Sequence, residues 1–299
     1  MLELLENCEL CPRKCGVNRL ENKLGFCGAG NDIRVARASL HKWEEPCLSG
    51  TNGSGTVFFS YCTLKCVFCQ NYNLSHENFG KEITIEKLSD IFLTLQEKKA
   101  HNINLVTPTH YIPQIIEAIK MSRKNGLTLP IVYNSSGFEN PEIIKLLSGY
   151  IDIYLPDFKY FDNTLAKKYS LANNYFEYAT KSIEEMLKQV GEPKFDGDIL
   201  KRGVIIRHLI LPGFTEDSKK ILKYLYENYK DKVYISIMNQ YTPIHKNLTN
   251  YSEIDKKLTE KEYDEVIDYA ISLGIENAFI QEGETAKESF IPDFDLSGI

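Results

Sequence analysis

Three cysteines lie close together in the segment SYCTLKCVFCQN, where Cys62, Cys66 and Cys69 form the pattern C-x3-C-x2-C. Thiolates in such a group select zinc or an iron–sulfur cluster among the metals common in proteins. A four-iron cluster held by only three cysteines keeps one iron free of protein ligands, so that iron can take a small molecule. The alternative is a structural zinc knuckle in which Cys47 or a histidine supplies the fourth ligand.

A second group of cysteines precedes the first along the chain. Cys8, Cys11, Cys15 and Cys27 form the pattern C-x2-C-x3-C-x11-C, a complete set of four thiolates. Zinc in structural sites takes four protein ligands, and a second 4Fe-4S cluster that relays electrons fits the same count. We favour structural zinc, with the second cluster as the alternative. The eighth cysteine, Cys47, is either a buried core thiol or a candidate hydrogen-atom donor near the active site.

Composition narrows the class of protein. The 299 residues are 43% hydrophobic and 25% charged, which is ordinary for a folded domain and argues against disorder. All eight cysteines lie in the first 69 residues, so metal ligation is a better interpretation than a disulfide framework. The net charge of −6 argues against nucleic acid or an anionic membrane as partner. The N-terminus lacks a secretory pattern, and no apolar run is long enough to span a bilayer, so we predict a cytoplasmic protein.

Short apolar runs alternate with amphipathic helical patterns over most of the chain. Near-continuous hydrophobicity is typical of strands buried on both faces of a parallel sheet. Such strands are predicted at 56–62, 103–108, 130–136, 151–158, 204–211 and 232–239. Helices are predicted at 85–98, 112–124, from Pro141 onward, and at 163–190, 216–229 and 258–273.

Six strands with five intervening helical segments indicate a repeated βα unit. About 200 residues are too few for a closed barrel of eight units, which takes roughly 250. We therefore predict an α/β fold with a partial (β/α)6 barrel at residues 51–245, and a doubly wound sheet is the alternative. Residues 1–50 are predicted to be a Cys-rich metal-binding extension, and residues 246–299 a C-terminal helix and closing segment packed on the barrel.

In both architectures, ligands bind at the carboxyl ends of the parallel strands. The segments at these ends are polar or otherwise distinctive. They are the 62–69 loop, TPTH (107–110), NSSG (134–137), DFK (157–159), LPG (211–213) and NQY (239–241). We expect these six segments to meet at one site.

The loop CTLKCVFC, with Phe68 directly before its third cysteine, resembles the signature of radical S-adenosylmethionine (SAM) enzymes. The resemblance implies a 4Fe-4S cluster whose fourth iron chelates the amino and carboxylate groups of SAM. It implies that one-electron reduction cleaves the sulfonium to a 5′-deoxyadenosyl radical, which abstracts hydrogen from the substrate. It also implies a reducing flavodoxin or ferredoxin as electron donor, because only clusters at the low end of the potential range suit this reduction.

The resemblance extends over most of the chain, toward a branch related to pyruvate formate-lyase activating enzymes. YNSSGF resembles the DTNGF segment of that subgroup, PDFKY resembles its DLK segment, and IRHLILPG resembles its arginine-containing strand. These matches imply that Ser135, Asp157 and Lys159 line the SAM site, with Lys159 as partner of the methionine carboxylate. Asn134 stands where the subgroup has an aspartate beside a cation site. LVTPTH replaces a glycine-rich GGE segment, so Thr109 or backbone carbonyls are expected to hold the methionine amino group.

Other polar residues near the strand ends are candidates for supporting roles. Arg207 lies in the middle of a predicted strand, where an unpaired charge is costly, so we expect an acidic partner or a substrate carboxylate beside it. We expect His110 and His208 to pack against their neighbours and not to act as acid–base catalysts. Gln240 and Tyr241 are candidates for substrate contact.

The leading hypothesis is an enzyme that generates a carbon-centred radical on its substrate. It either activates a glycyl radical enzyme or modifies a small metabolite or peptide, and the subgroup resemblance favours activation. The segment GTNGSGTVFFS and the tail QEGETAKESFIPDFD resemble the same branch. From a different class, an iron–sulfur electron carrier or a zinc-ribbon binding module would not need six converging loops.

Overall fold

A computed structural model describes residues 1–244, 246–281 and 292–299 of the chain. Most of the tail QEGETAKESFIPDFD therefore lies outside the described residues. The strands are β1 Ile33–His41, β2 Ser54–Phe59, β3 Lys81–Ile83, β4 Ile103–Val106, β5 Ile131–Ser135, β6 Ile153–Pro156, β7 Lys194–Asp196, β8 Ile199–Leu209, β9 Tyr234–Met238 and β10 Ala278–Ile280. The α-helices are α1 Pro46–Ser49, α2 Tyr72–Ser75, α3 Ile85–Glu97, α4 Ile112–Lys124, α5 Pro141–Lys145, α6 Asn163–Ser170, α7 Tyr175–Val190, α8 Thr215–Tyr229 and α9 Glu260–Leu273.

The six predicted strands form the centre of one sheet in the order β2-β4-β5-β6-β8-β9, and each pairs in parallel with its neighbour. Spatial order follows chain order, with helices between successive strands. A doubly wound sheet would instead reverse its order at a switch point. The fold is therefore the predicted α/β partial barrel, and the doubly wound alternative is wrong.

Three strands at the edges of this sheet are absent from the sequence prediction. β1 pairs antiparallel with β2 and β3, and its sequence IRVARASLH interleaves charged and apolar residues. β10 pairs in parallel with β9 at the other end. β3 and β10 have only three residues each, too few for a periodic pattern. Because β1 lies within residues 1–50, the N-terminal segment contributes a strand to the main sheet.

The helix predicted at 163–190 is two helices in the structure. Leu171 and Asn174, between α6 and α7, both have left-handed backbone conformations, with φ of 52° and 54°. An α-helix cannot continue through such residues. The break leaves the last carbonyls of α6 without intrahelical partners, and the backbone N–H of Val67 donates to one of them, the carbonyl of Tyr169, at 2.9 Å. The end of α6 thus supports the loop that carries the three cysteines.

A small apolar cluster fills the barrel interior below the strand ends. Cys47 and Leu48 of α1 pack there against inward-facing residues of the strands, including Val132, Leu155 and Ile205. Residues two apart in a strand share a face, so the residues that follow these on the same faces point inward above the cluster. Among the described residues, no helix is both long and apolar enough to cross a membrane.

Candidate cluster and cofactor site

The carboxyl ends of the parallel strands meet at one pocket of about 230 Å³. The strand ends contribute Thr107, Asn134, Ser135, Asp157, Lys159, Arg207 and Gln240 to its lining. The loop after β2 contributes Cys62, Cys66 and Cys69, and the end of β1 and the segment that follows it contribute His41, Trp43 and Glu44. Five of the six predicted segments therefore supply residues to one site, and LPG (211–213) does not.

None of the three cysteines of the loop is in a disulfide bond. Their sulfurs accept hydrogen bonds, Cys62 from the N–H of Leu64 at 3.3 Å, Cys66 from the hydroxyl of Ser170 at 2.9 Å, and Cys69 from the hydroxyl of Ser75 at 3.3 Å. Burial raises the pKa of the Cys66 thiol to about 11, so the thiol would lose its proton on binding a metal. Donors directed at sulfur stabilise the thiolate form and tune the potential of a bound cluster.

A chain of half-buried charges lies beside the thiols. The Lys159 ammonium is 2.6 Å from one carboxylate oxygen of Asp157, and Arg207 Nε is 3.0 Å from the other. Burial on its own would raise the pKa of Asp157, but Arg207 and Lys159 together hold it below its ordinary value. Asp157 is therefore ionised at neutral pH, and the two cations are fixed by it.

Glu44 closes this network from the N-terminal segment. Its carboxylate accepts from Arg207 at 3.1 Å, from Asn104 at 2.8 Å and from Asn134 at 3.1 Å. The side-chain oxygen of Asn134 accepts in turn from Arg207 at 2.7 Å. The guanidinium of Arg207 is thus hydrogen-bonded to the side-chain oxygen of Asn134, and it also contacts the carboxylates of Asp157 and Glu44. Sequence analysis misses Glu44, and the only signal is the acidic pair in EEPC, which lies 163 positions before Arg207.

The ends of β5 and β6 are held together by one phenol. The hydroxyl of Tyr175 donates to the carbonyls of Ser136 at 2.8 Å and Asp157 at 3.0 Å, and it accepts from the N–H of Lys159 at 2.9 Å. Gly137, with φ of 75°, lets these two strand ends approach, because a Cβ there would lie 2.0 Å from the carbonyl oxygen of Asp157. The backbone of Lys159 is therefore fixed by its hydrogen bond to Tyr175 and by the close approach of the two strand ends.

Some predicted site residues lie away from the pocket. Thr109 is 1% exposed and donates to the carboxylate of Glu139 at 2.9 Å, and Thr107 lines the pocket instead, with φ of 60°. Cys47 belongs to the apolar cluster below the site, as expected of a core thiol, and does not line the pocket. Tyr241 is 1% exposed and donates to the carbonyl of Ile254.

The two histidines are buried among backbone acceptors. His110 lies 2.8 Å from the carbonyl of Ser60, and burial lowers its pKa to about 3. His208 lies 2.7 Å from the carbonyl of Phe158 and 2.8 Å from the hydroxyl of Ser218. Neither histidine lines the pocket.

The N-terminal cysteines are also outside any disulfide bond. The N–H of Phe26 donates to the sulfur of Cys15 at 3.3 Å, and that of Ala29 donates to the sulfur of Cys27 at 3.5 Å. Burial raises the pKa of Cys11, and Cys27 and Cys15 act on it electrostatically in the same direction. Among the described residues, no group of three or more His, Cys, Asp or Glu side chains is arranged to hold a single metal ion.

Residues 56–225 match the radical SAM superfamily, and the chain belongs to this superfamily. Its members are enzymes of radical chemistry that use a 4Fe-4S cluster and SAM. The family prediction made from CTLKCVFC is therefore confirmed.

An uncharacterized protein of Methanocaldococcus jannaschii is 30% identical over 276 residues, which cover 89% of this chain and 75% of that protein. Among solved structures, SuiB of Streptococcus suis bound to SAM matches 75% of this chain and 48% of its own length, with 15% identity and a TM-score of 0.50. HydG of Carboxydothermus hydrogenoformans, a maturase of FeFe-hydrogenase, matches 79% of this chain and 56% of its own length, with 12% identity and a TM-score of 0.51. This chain thus spans about half the length of these solved structures, and at such identities they support the fold alone.

The residues that line the pocket fit both a 4Fe-4S cluster and SAM. Three thiols on one loop, none of them in a disulfide, form a soft donor set, and the sulfurs receive hydrogen bonds that favour thiolates. The half-buried ammonium of Lys159 lies next to them and has N–H donors to spare for an anionic group of SAM.

Proposed function

We propose that Cys62, Cys66 and Cys69 hold a 4Fe-4S cluster and that SAM binds beside it in the same pocket. The observation that carries the proposal is one pocket that contains three cysteine thiols outside any disulfide and the half-buried charges of Lys159, Asp157 and Arg207. When bound, the cluster and SAM supply one-electron cleavage of the sulfonium and hydrogen abstraction from a substrate. The chain would thus act as a radical SAM oxidoreductase.

Lys159 and Asp157 are proposed to orient SAM. An ammonium has three N–H donors, and Asp157 takes one, so two remain for the methionine carboxylate. Asp157 keeps Lys159 in place and compensates its charge in a buried site. Ser135 and Thr107, on the neighbouring strand ends, are proposed as further SAM contacts.

Arg207, Asn134 and Glu44 are proposed to form one wall of the pocket that would take SAM. The guanidinium of Arg207 is engaged by Asp157, Asn134 and Glu44, so its role is to fix these side chains and not to recruit a substrate carboxylate. Because the oxygen of Asn134 accepts from Arg207, we propose that the guanidinium replaces a bound cation here.

The four N-terminal cysteines, Cys8, Cys11, Cys15 and Cys27, are proposed to hold structural zinc, although the structure does not show their side chains arranged around a single metal ion. Four thiolates complete the coordination of zinc and leave no open position. A second 4Fe-4S cluster is the alternative outcome of metal analysis.

The substrate is proposed to be a protein, namely a glycyl radical enzyme that this chain activates. Resemblance of the YNSSGF, PDFKY and IRHLILPG segments to activating enzymes supports this. Trp43, 66% exposed although it lines the pocket, offers an aromatic surface to an incoming peptide loop. The electron donor is proposed to be a reducing flavodoxin or ferredoxin, which would place the reaction in the cytoplasm.

Product analysis tests the proposed activity. Anaerobically reconstituted enzyme with dithionite and SAM is expected to release 5′-deoxyadenosine, and Cys66→Ala is expected to abolish it. Cys47→Ala is the matched control, because this thiol lies outside the pocket. No 5′-deoxyadenosine from a fully loaded, reduced enzyme would favour an electron carrier or a binding module.

Deuterated candidate substrates test the substrate class. Deuterium transferred from a glycine of a partner enzyme into 5′-deoxyadenosine would support activation. Transfer from a small metabolite or a peptide would support modification of that molecule instead.

A further inference from the structure

One arginine connects the two cysteine groups. Arg13, in the CPRKC segment between Cys11 and Cys15, directs its guanidinium at backbone carbonyls near the loop of Cys62, Cys66 and Cys69. Its Nε donates to the carbonyl of Thr63 at 3.1 Å, and Nη2 donates to the carbonyl of Ser170 at 3.4 Å. A further bond from Nη1 reaches the carbonyl of Leu171.

These carbonyls belong to residues next to the proposed cluster ligands. Thr63 directly follows Cys62, and the hydroxyl of Ser170 donates to the sulfur of Cys66 at 2.9 Å. One side chain of the N-terminal segment therefore contacts both the loop and the residue that hydrogen-bonds a loop sulfur. The guanidinium is held in this position by the ring of Phe26, whose centroid lies 3.7 Å from it.

The charge of Arg13 faces thiols on both sides. Among the described residues, no carboxylate forms an ion pair with it, and its hydrogen bonds are to carbonyls. Cys11, Cys15, Cys62 and Cys66 all lie close enough to interact with this charge. A partly buried cation of this kind is stabilised when the neighbouring thiols are ionised, as they are when they bind metal.

We propose that Arg13 is a positioning residue that couples the N-terminal cysteine site to the cluster loop. Its planar fork fixes the carbonyls of Thr63 and Ser170, and so the geometry around Cys62 and Cys66. Its positive charge favours the reduced state of the cluster. The inference rests on the proposed function, because it requires a cluster at the 62–69 loop.

The two contributions of Arg13 are separable by substitution. Lysine keeps the charge but lacks the planar fork that spans two carbonyls, whereas glutamine removes the charge. Arg13→Lys is therefore expected to keep the reduction potential of the wild type but to lose iron to a chelator more rapidly. Arg13→Gln is expected both to lose iron rapidly and to have a lower potential.

The control is Arg202→Gln. Arg202 also donates to two carbonyls, those of Val190 at 2.9 Å and Gln189 at 2.7 Å. It lies near the amino end of β8, whereas the cluster loop follows the carboxyl end of β2. Its loss is expected to leave potential and iron retention unchanged.

The experiment uses full-length holoenzyme, with a redox titration followed by electron paramagnetic resonance and a chelator assay of iron loss. At a fixed applied potential, Arg13→Gln is expected to show about a tenfold smaller ratio of reduced to oxidised cluster, equivalent to about 59 mV for one electron. Iron loss is expected to be several-fold faster in both Arg13 variants. Metal content at the N-terminal cysteines and circular dichroism establish that each variant is folded.

Three outcomes bear on the proposal. Potentials and iron-loss rates of folded Arg13→Gln and Arg13→Lys that equal those of Arg202→Gln would overturn it. Cys11→Ser, which removes a ligand of the N-terminal site, is expected to reproduce the faster iron loss, and unchanged retention would overturn the coupling. Wild-type protein without any cluster at 62–69 would overturn the proposed function itself. Arg13 variants that bind a cluster and behave as the wild type does would overturn only the role of Arg13.

Discussion

The hydroxyl of Ser170 donates to the sulfur of Cys66 at 2.9 Å, although the two residues are 104 positions apart in the chain. The contact exists because α6 ends at Ser170 and the chain turns away at Leu171 in a left-handed conformation. The same hydroxyl is 2.6 Å from the phenol oxygen of Tyr160. Local backbone geometry thus provides a hydrogen bond to a proposed cluster ligand.

Ser170→Ala is expected to lower the reduction potential of the cluster. Removing a donor to sulfur disfavours the reduced, more negative cluster. The change also leaves the buried Tyr160 hydroxyl without this partner, at a cost of about 1–3 kcal/mol in the free energy of unfolding. A redox titration and denaturant unfolding measure the two effects. Ser182→Ala, which removes a buried hydroxyl bonded to the carbonyl of Glu139, should change stability alone, and an equal shift in potential would contradict the assignment.

Gly137→Ala is expected to disrupt the SAM site and to destabilise the fold by more than about 4 kcal/mol. A Cβ at this position would lie 2.0 Å from the carbonyl of Asp157, and φ is 75°. Gly149→Ala is the matched control, because Gly149 has φ of 80° but no atom within 4 Å of its Cβ position, so it should cost only about 1 kcal/mol of backbone strain. Thermal unfolding and SAM binding measure the difference. Equal losses of stability and of SAM binding in the two variants would show that the close approach of the strand ends does not restrict position 137 to glycine.

The free energy of unfolding is expected to fall in acid partly because of His208. Burial lowers the pKa of His208 to about 4, although its hydrogen bond to the Phe158 carbonyl acts in the opposite direction. A histidine whose folded pKa lies below its unfolded value of about 6.5 adds stability above that value and loses it as pH falls toward the folded pKa. The loss approaches about 3 kcal/mol below pH 4. Denaturant unfolding between pH 7 and 4 should show a shallower decline for His208→Gln than for the wild type, and an identical decline would exclude His208 as a cause.

Metal content is expected to separate the two cysteine groups. Wild-type protein should contain about four irons and one zinc per chain. Cys66→Ala should lose iron but retain zinc, whereas Cys11→Ala should lose zinc. About eight irons without zinc would show a second cluster at the N-terminal cysteines and would make the assignment of zinc wrong.

The strand and helix positions of the barrel follow from local patterns. Runs such as TVFF and IYLP are apolar throughout because both faces of a central parallel strand are buried, so sequence alone locates them to within a few residues. The meeting of the polar segments at one site was also predictable, because the carboxyl ends of parallel strands lie at the same edge of a sheet. β1 was not predicted, because its sequence mixes charged and apolar residues and gives no single period.

The contacts that organise the site depend on distant parts of the chain. Glu44 and Arg13 come from the N-terminal segment, and no local period marks an acid that pairs with Arg207 or an arginine that contacts Ser170. The choice between Thr107 and Thr109 depends on one residue with φ of 60°, which sequence patterns do not specify for threonine. Local periodicity therefore predicts which segments form the site, and tertiary packing determines which side chains face it.

Spectroscopy of the reduced holoenzyme with and without SAM tests the central claim most directly. If Cys62, Cys66 and Cys69 are the protein ligands of the cluster, one iron has an open position, and SAM is expected to change its electron paramagnetic resonance spectrum. Lys159→Met should weaken this response to SAM without removing the cluster. A cluster whose spectrum is the same with saturating SAM, and whose four irons all carry cysteine or histidine ligands, would contradict the account.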